Sequence, residues 1–193
     1  MSKEATTVTR YRDLMAQGLN SRSITAAVEQ GALERISRGL YAVTAAEDQI
    51  TEKHTFVQVA KLVPQGVYCL VSALVFHELT VENHRRMQVA LPRPAHEPKV
   101  DIMPVEYFHL SEQPYLAGIE EHEVEGTTVK VYSPAKTVAD LFKFRNRYGV
   151  DMALEALREV WRKRRATTKE LHECAKVCRV EKIMRPYLEA VIT

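Results

Sequence analysis

From Val8 to Val43 the sequence reads as helix, tight turn, helix, then a two-stranded ribbon. Few folds accommodate that order in so short a segment. The spacing predicts a first helix over 8–17 (VTRYRDLMAQ), with Val8, Tyr11, Leu14 and Met15 on one side and Gly18 as its stop. Asn20 or Ser21 is placed to cap a second helix, SRSITAAVEQ, by accepting a hydrogen bond from a free N–H of its first turn. Ile24, Ala27 and Val28 form the inward side of that helix, and Gly31 ends it. LERISRGLYAV (33–43) then alternates, breaks at Arg38-Gly39 and resumes as a second strand. This is the element order of a winged helix-turn-helix, whose second helix enters the major groove while the ribbon grips the neighbouring backbone.

On that reading the outward side chains of the second helix, Asn20, Ser21, Arg22, Ser23 and Thr25, face nucleic acid. Short hydroxyls and one arginine at a helix N-terminus suit phosphate and base-edge contacts, because free N–H groups there also attract anions. Arg35 and Arg38 on the ribbon add phosphate contacts, and Gly39 lets the backbone turn and approach DNA closely. Glu29 and Glu34 oppose the three arginines. A patch this weakly basic needs two copies on a repeated or palindromic site, because each phosphate contact adds little and is salt-sensitive. The alternative is an interaction module with the same shape that does not bind DNA.

Further on, TAAEDQ (44–49) reads as a linker and 51–62 as a helix capped by Thr51, burying Phe56, Val59, Ala60 and Val63. VYCLV is expected as a strand, SALVFHEL as a short helix capped by Ser72, and RRMQVALP and VDIMPVEYFHL as strands, the second broken by Pro104. Residues 123–131 alternate about Gly126 as a hairpin. From Ser133-Pro134, a serine cap followed by a first-turn proline, the chain turns helical. Val138, Ala139, Leu141 and Phe142 repeat at helical spacing, and Val150, Ala153, Leu154, Leu157 and Trp161 form the next stripe. Thr167 and Glu170 fit a capping box, and the last helix, EKIMRPYLEAVI, is expected to kink or break near Pro186. The predicted architecture is α+β. It pairs a winged helix-turn-helix domain over 1–45 with a larger α+β domain over 50–193 whose C-terminal half is helical.

An apolar fraction of 46 % with 27 % charged residues suits a chain that buries a core. Three scattered cysteines point to a reducing compartment, and the longest apolar run (67–76) is far short of the roughly 20 residues that span a bilayer. A cytoplasmic protein with no membrane contact is expected. No Gly-x-Gly occurs, which removes dinucleotide and P-loop chemistry. The absence of Gly-Ser and Asp-x-Asp argues against nucleotidyl transfer. His77-Glu78 with His84 is the nearest approach to a metal cluster, but its spacing does not place both histidines on one helical face. His172, Cys174 and Cys178 lack a fourth ligand and read as ordinary side chains with buried thiols. Ser72 resembles a strand-to-helix nucleophile, yet a capping role accounts for it. The expectation is a binding protein: no enzyme, no cofactor, no metal.

Local charge carries more than the net +2. Residues 141–179 hold eleven basic side chains against five acids, whereas 106–125 hold six glutamates and no Lys or Arg. WRKRR (161–165) is suited to nucleic acid or an acidic protein surface, or is simply a solvated helical face. Lys136 and Asp140 read as an i,i+4 pair with a few tenths of a kcal/mol at stake.

GALERISRGLYAV, CLVSALVFHELT, VALPRP, VKVYSPAKTVADLFKFRNRYGVDMALEALREVWRKRRAT and CRVEKIMRPYLEAV together resemble the AbiEi abortive-infection antitoxins, the regulators of type IV toxin–antitoxin pairs in phage defence. SPAKTVADLFKFRN is the most specific block. The resemblance implies an N-terminal winged-helix domain that represses its own operon at promoter repeats, where the two copies called for by the weak patch would sit as a dimer on DNA. It also implies a C-terminal domain that neutralises a nucleotidyltransferase toxin encoded beside it, by contact or indirectly. Lys136, Lys143, Arg145, Arg147, Arg162, Lys163, Arg164 and Arg165 are then the candidate antitoxin surface. The family carries a further helix ahead of the stretch matching YRDLMAQG, where this chain has a short polar stretch.

Overall fold

A computed structural model describes residues 6–44, 54–81 and 86–192. Those within 1–64, 98–104 and 123–129 group into one compact unit, and those within 65–97, 105–122 and 130–193 into another. The linker expected at 44–49, past Thr44, lies outside the described residues, as do the Thr51 cap and His84.

In the first unit the elements run β1 (Thr6–Arg10), α1 (Tyr11–Ala16), α2 (Ser21–Glu29), β2 (Leu33–Ser37), β3 (Leu40–Thr44) and α3 (His54–Leu62). The two helices and the ribbon form as expected, with Leu14, Ile24 and Leu33 as the buried centre. The first helix starts later than its apolar spacing suggests. Thr6, Thr7, Val8 and Thr9 are β-branched and extend instead, pairing antiparallel with β3 so that Val8 sits opposite Ala42. Strand β1 therefore occupies the place ahead of α1, and the sheet order is β1-β3-β2. Met15, expected inside, is 43 % exposed, because a six-residue helix has room to bury only one short face. Helix α3 is tied to β1 by the Lys61 ammonium, which donates to the Val8 carbonyl, and by Arg10 Nη2, 3.5 Å from the Ala60 carbonyl.

The second unit is built on β4 (Val67–Tyr68), α4 (Leu70–Phe76), β5 (Met87–Pro92), β6 (Val105–Leu110), α5 (Glu112–Leu116) and the parts of β7 (Ile119–Val124) and β8 (Thr127–Tyr132) outside 123–129. Helices α6 (Pro134–Lys143), α7 (Arg145–Tyr148), α8 (Val150–Arg162), α9 (Thr168–Val177) and α10 (Glu181–Ile192) follow. The five strands lie in the order β6-β5-β4-β8-β7 and mix parallel and antiparallel pairs. Two expectations need correction. VYCLV contributes only a two-residue strand, and α4 starts at Leu70, so Ser72 lies inside the helix and does not cap it. The capping is done from β5: Gln88 Oε1 accepts from the Val71 N–H at 2.8 Å, while Ser72 Oγ accepts from the Gln88 N–H at 2.8 Å. A buried cross-link between helix and strand replaces the local cap. The last helix runs unbroken through Pro186.

Helix α6 is the hub. Every residue from Pro134 to Phe142 is buried, which is the mark of a helix packed on all sides. Ser133 caps it, its Oγ accepting from the Lys136 N–H at 3.3 Å. The Thr167–Glu170 capping box opens α9 in the same way. Leu141, Phe142, Leu157, Val160, Leu171 and Met184 join α6, α8, α9 and α10 in one core.

Gly118 makes the entry to α6 possible. Its carbonyl accepts from the Ser133 N–H at 2.7 Å, its φ is +69°, and an added Cβ would lie 2.7 Å from Lys136 Cβ and 3.0 Å from Ser133 Oγ. Gly118→Ala is expected to destabilise the fold by about 1–3 kcal/mol, from backbone strain and overpacking together. Urea denaturation of the two chains measures it. Among the described residues no helix is long and apolar enough to cross a membrane.

Candidate nucleic-acid interface

The ribbon and α2 present different chemistry. Asn20 and Ser23 form a full capping box: Asn20 Oδ1 accepts from the Ser23 N–H at 2.9 Å, and Ser23 Oγ accepts from the Asn20 N–H at 2.8 Å. Thr25 Oγ1 donates to the Ser21 carbonyl at 3.0 Å. These polar side chains hold the helix start in shape, so their reach outward is limited. Arg22, Arg35 and Arg38 are all exposed, and none has an acidic partner among the described residues. Arg35 lies opposite Tyr41, and the register slips between Arg35 and Ser37, leaving Ile36 as the extra residue of a bulge. Such a bulge raises the local twist of a ribbon and re-aims its side chains. Gly39 closes the turn at φ +79°, with open space where a Cβ would stand. The unit thus holds three unpaired guanidiniums on a helix N-terminus and a twisted ribbon tip.

The second unit sorts the candidate partner residues into two kinds. Lys136 is fully buried, with its ammonium 2.5 Å from Asp140 Oδ2 and 3.9 Å from the centre of the Tyr132 ring. It therefore cannot belong to a partner surface, and its pairing with Asp140 is an interior ion pair rather than a solvated one. Spacing alone gave i,i+4, and burial multiplies the stakes. Lys143 and Arg145 are half-buried, Arg145 Nη1 donating to the Phe142 carbonyl at 3.0 Å. Arg147 is exposed and pairs with Glu106 across the faces of Phe108 and Tyr148. Arg162 holds Glu159 through two bonds of 3.0 and 2.7 Å, and Lys163 donates to the Glu78 carbonyl at 2.6 Å. Arg164 and Arg165 are exposed at the end of α8. Much of the basic excess of 141–179 is thus answered within the unit.

His77 meets partners that its neighbours in sequence do not reveal. Its Nε2 donates to the Tyr132 carbonyl at 2.9 Å and lies 3.9 Å from Glu120 Oε2, which is 3.3 Å from His122 Nε2. The donor atoms of His77, Glu120 and His122 all fall within 4.8 Å of one another. Glu120 and His122 share one face of β7 because strand side chains alternate. That E-x-H spacing is the signal sequence reading missed, while the meeting with His77 depends on the fold. The His77 Nε2 proton is committed to a carbonyl, which leaves that nitrogen no lone pair for an ion. Cys178 Sγ donates to Asp140 Oδ1 at 3.3 Å, and burial raises Cys69 and Cys178 and pushes Cys174 up to about 11.

Burial also holds the His77 imidazole below its ordinary value of 6.5, with His122 and Arg165 adding to the shift and the Tyr132 bond and Glu120 opposing it. Its neutral form is the one folding favours. Stability from this group is complete above the unfolded value and is lost as pH falls through it towards the depressed folded value. The melting temperature is expected to fall between pH 7 and pH 5, and His77→Gln to flatten that slope. Calorimetry of both chains across the range checks it.

Residues 10–44 match the family described as a transcriptional regulator, AbiEi antitoxin. The match covers the helix-turn-helix and ribbon and agrees with the resemblance drawn from the sequence. The match is confined to these residues, within the first unit, and the family's description names regulation and the antitoxin alone. Among solved structures, the RV2827C protein from Mycobacterium tuberculosis is similar in fold, with a TM-score of 0.62 at 11 % identity. The similarity covers 95 % of this chain and 76 % of that one. No curated protein matches the chain.

Proposed function

We propose that this chain is a cytoplasmic antitoxin and autorepressor. Its N-terminal domain, 1–45, binds repeated sites in its own promoter as a dimer on DNA, and its 50–193 domain neutralises a nucleotidyltransferase toxin, directly or indirectly. The observation that carries the reading is the set of three exposed guanidiniums, Arg22, Arg35 and Arg38, without acidic partners on α2 and the ribbon. Phosphate recognition needs such free, fork-shaped donors. The Gly39 backbone completes the ribbon tip, and Asn20, Ser21, Ser23 and Thr25 set the angle of α2. The AbiEi match over the same residues supports it.

A second reading, an interaction module that does not bind DNA, draws support from the locally engaged Asn20, Ser23 and Thr25 and from exposed Glu29 and Glu34 beside the arginines. A two-readout experiment separates them. The Arg22→Ala/Arg35→Ala/Arg38→Ala chain is expected to lose repression of a promoter reporter while still protecting cells that express the toxin. Unchanged repression would favour the second reading.

A further inference from the structure

In the second unit the turn into β7, the start of α6, the α8–α9 connection and one face of α9 enclose a cavity of about 430 Å³. Pockets that hold small organic molecules run from roughly 300 to 1,000 Å³. The space exists because Ala117, Gly118 and Ala166 line it with nothing larger than a methyl group. Ile119, Pro134 and Val177 add apolar walls.

The charged groups of the cavity do not satisfy one another. Arg165, exposed in the α8–α9 connection, makes no hydrogen bond or ion pair among the described residues, although Glu120, Glu170 and Glu173 line the same space. Glu170 is engaged in the Thr167 capping box, and Glu120 lies 3.3 Å from the His122 imidazole. Glu173 meets only Lys169, at 4.0 Å and with both side chains in water. A guanidinium and a carboxylate that share a cavity without pairing are two opposite anchor points on an apolar wall.

We infer that this cavity binds a small apolar zwitterion of the amino-acid or dipeptide class. Its carboxylate sits on the Arg165 fork, its ammonium on Glu173, and its apolar side chain against Ile119, Pro134 and Val177. Other ligand classes leave a charge stranded. A simple anion meets three carboxylates, a simple cation meets the guanidinium, and a nucleotide finds no aromatic ring in the lining on which to stack its base. A charge leaving water needs a partner, and a zwitterion supplies one to each anchor. Arginine also grips a carboxylate through two parallel bonds, which fixes the ligand's orientation. The site lies wholly within the second unit and depends on neither the wing nor the toxin. It turns Arg165 from a partner-surface residue into a ligand-binding one.

Saturation-transfer NMR of the full chain with leucine, methionine, phenylalanine and the dipeptide leucyl-leucine tests the site, followed by calorimetric titration of the strongest binder. At least one should bind, and the choice between amino acid and dipeptide reports the span between the anchors. The same molecule lacking its amino group, or lacking its carboxylate, should bind at least tenfold more weakly. Arg165→Gln and Glu173→Gln, both on exposed side chains, should each weaken the zwitterion at least tenfold, with unchanged melting curves certifying the fold. Ala166→Leu, which adds bulk to the lining and leaves both charges in place, should abolish binding. A chain that binds none of the four molecules overturns the inference, as does affinity that survives the charge variants or Ala166→Leu. A matched acid or amine that binds as tightly as the zwitterion also overturns it, because the cavity is then a plain anion or cation site.

Discussion

Asp140→Ala is expected to destabilise the protein by about 3–5 kcal/mol, the usual consequence of stranding one member of a buried ion pair. Without that carboxylate, the Lys136 ammonium is left fully buried against the Tyr132 ring, and the Cys178 thiol loses its acceptor. Domains of this class are stable by only about 5–15 kcal/mol, so the variant approaches marginality. At roughly 2–4 °C per kcal/mol for a chain of this size, its melting temperature falls by about 10 °C or more. Lys136→Met combined with Asp140→Leu should restore much of the loss, because two apolar groups of similar volume need no pairing. Differential scanning calorimetry of the wild-type chain and the two variants decides it. An Asp140→Ala chain within 1 kcal/mol of wild type would mean that Lys136 reaches water.

Arg35→Ala/Arg38→Ala carries the second large effect. Charge-assisted hydrogen bonds to phosphate are worth roughly 1.5–3 kcal/mol each, so losing both should weaken promoter binding by about a hundredfold or more at low salt. Both arginines are exposed and without acidic partners, so the loss falls on binding and leaves the fold intact. Arg12 serves as a control: it is exposed but already paired with Asp13 at 3.4 Å, and Arg12→Ala should change promoter binding far less.

The wing was legible because its signals are local. Apolar period, the Asn20 cap and the Arg38-Gly39 break each act within a few residues, and so do the Ser133-Pro134 start and the Thr167–Glu170 box. Signals that depend on a distant partner were not. Val8 fits a helical stripe and a strand equally well, and only pairing with β3 decides between them. Ser72 reads as the cap that follows a strand, yet it lies inside α4, and the Val71 N–H is capped by Gln88 from β5. Lys136 and Asp140 look solvated by spacing, because sequence distance within a helix says nothing about what surrounds it. His77 finds Glu120 and His122 through strand β7, and Arg147 finds Glu106, over separations that no periodicity encodes. The recognition block SPAKTVADLFKFRN turned out to be the central helix of the core and its exit, which ties its specificity to packing as much as to function.

The central claim, that α2 and the ribbon bind DNA through phosphate contacts, is tested most directly by fluorescence anisotropy of the chain on its own labelled promoter across a salt series. Binding should weaken linearly in log–log form as salt rises, and the Arg35→Ala/Arg38→Ala slope should be shallower by about two, near 0.9 for each lost contact. A chain that leaves the promoter free at low salt, or a variant whose curve overlays that of the wild type, would contradict it.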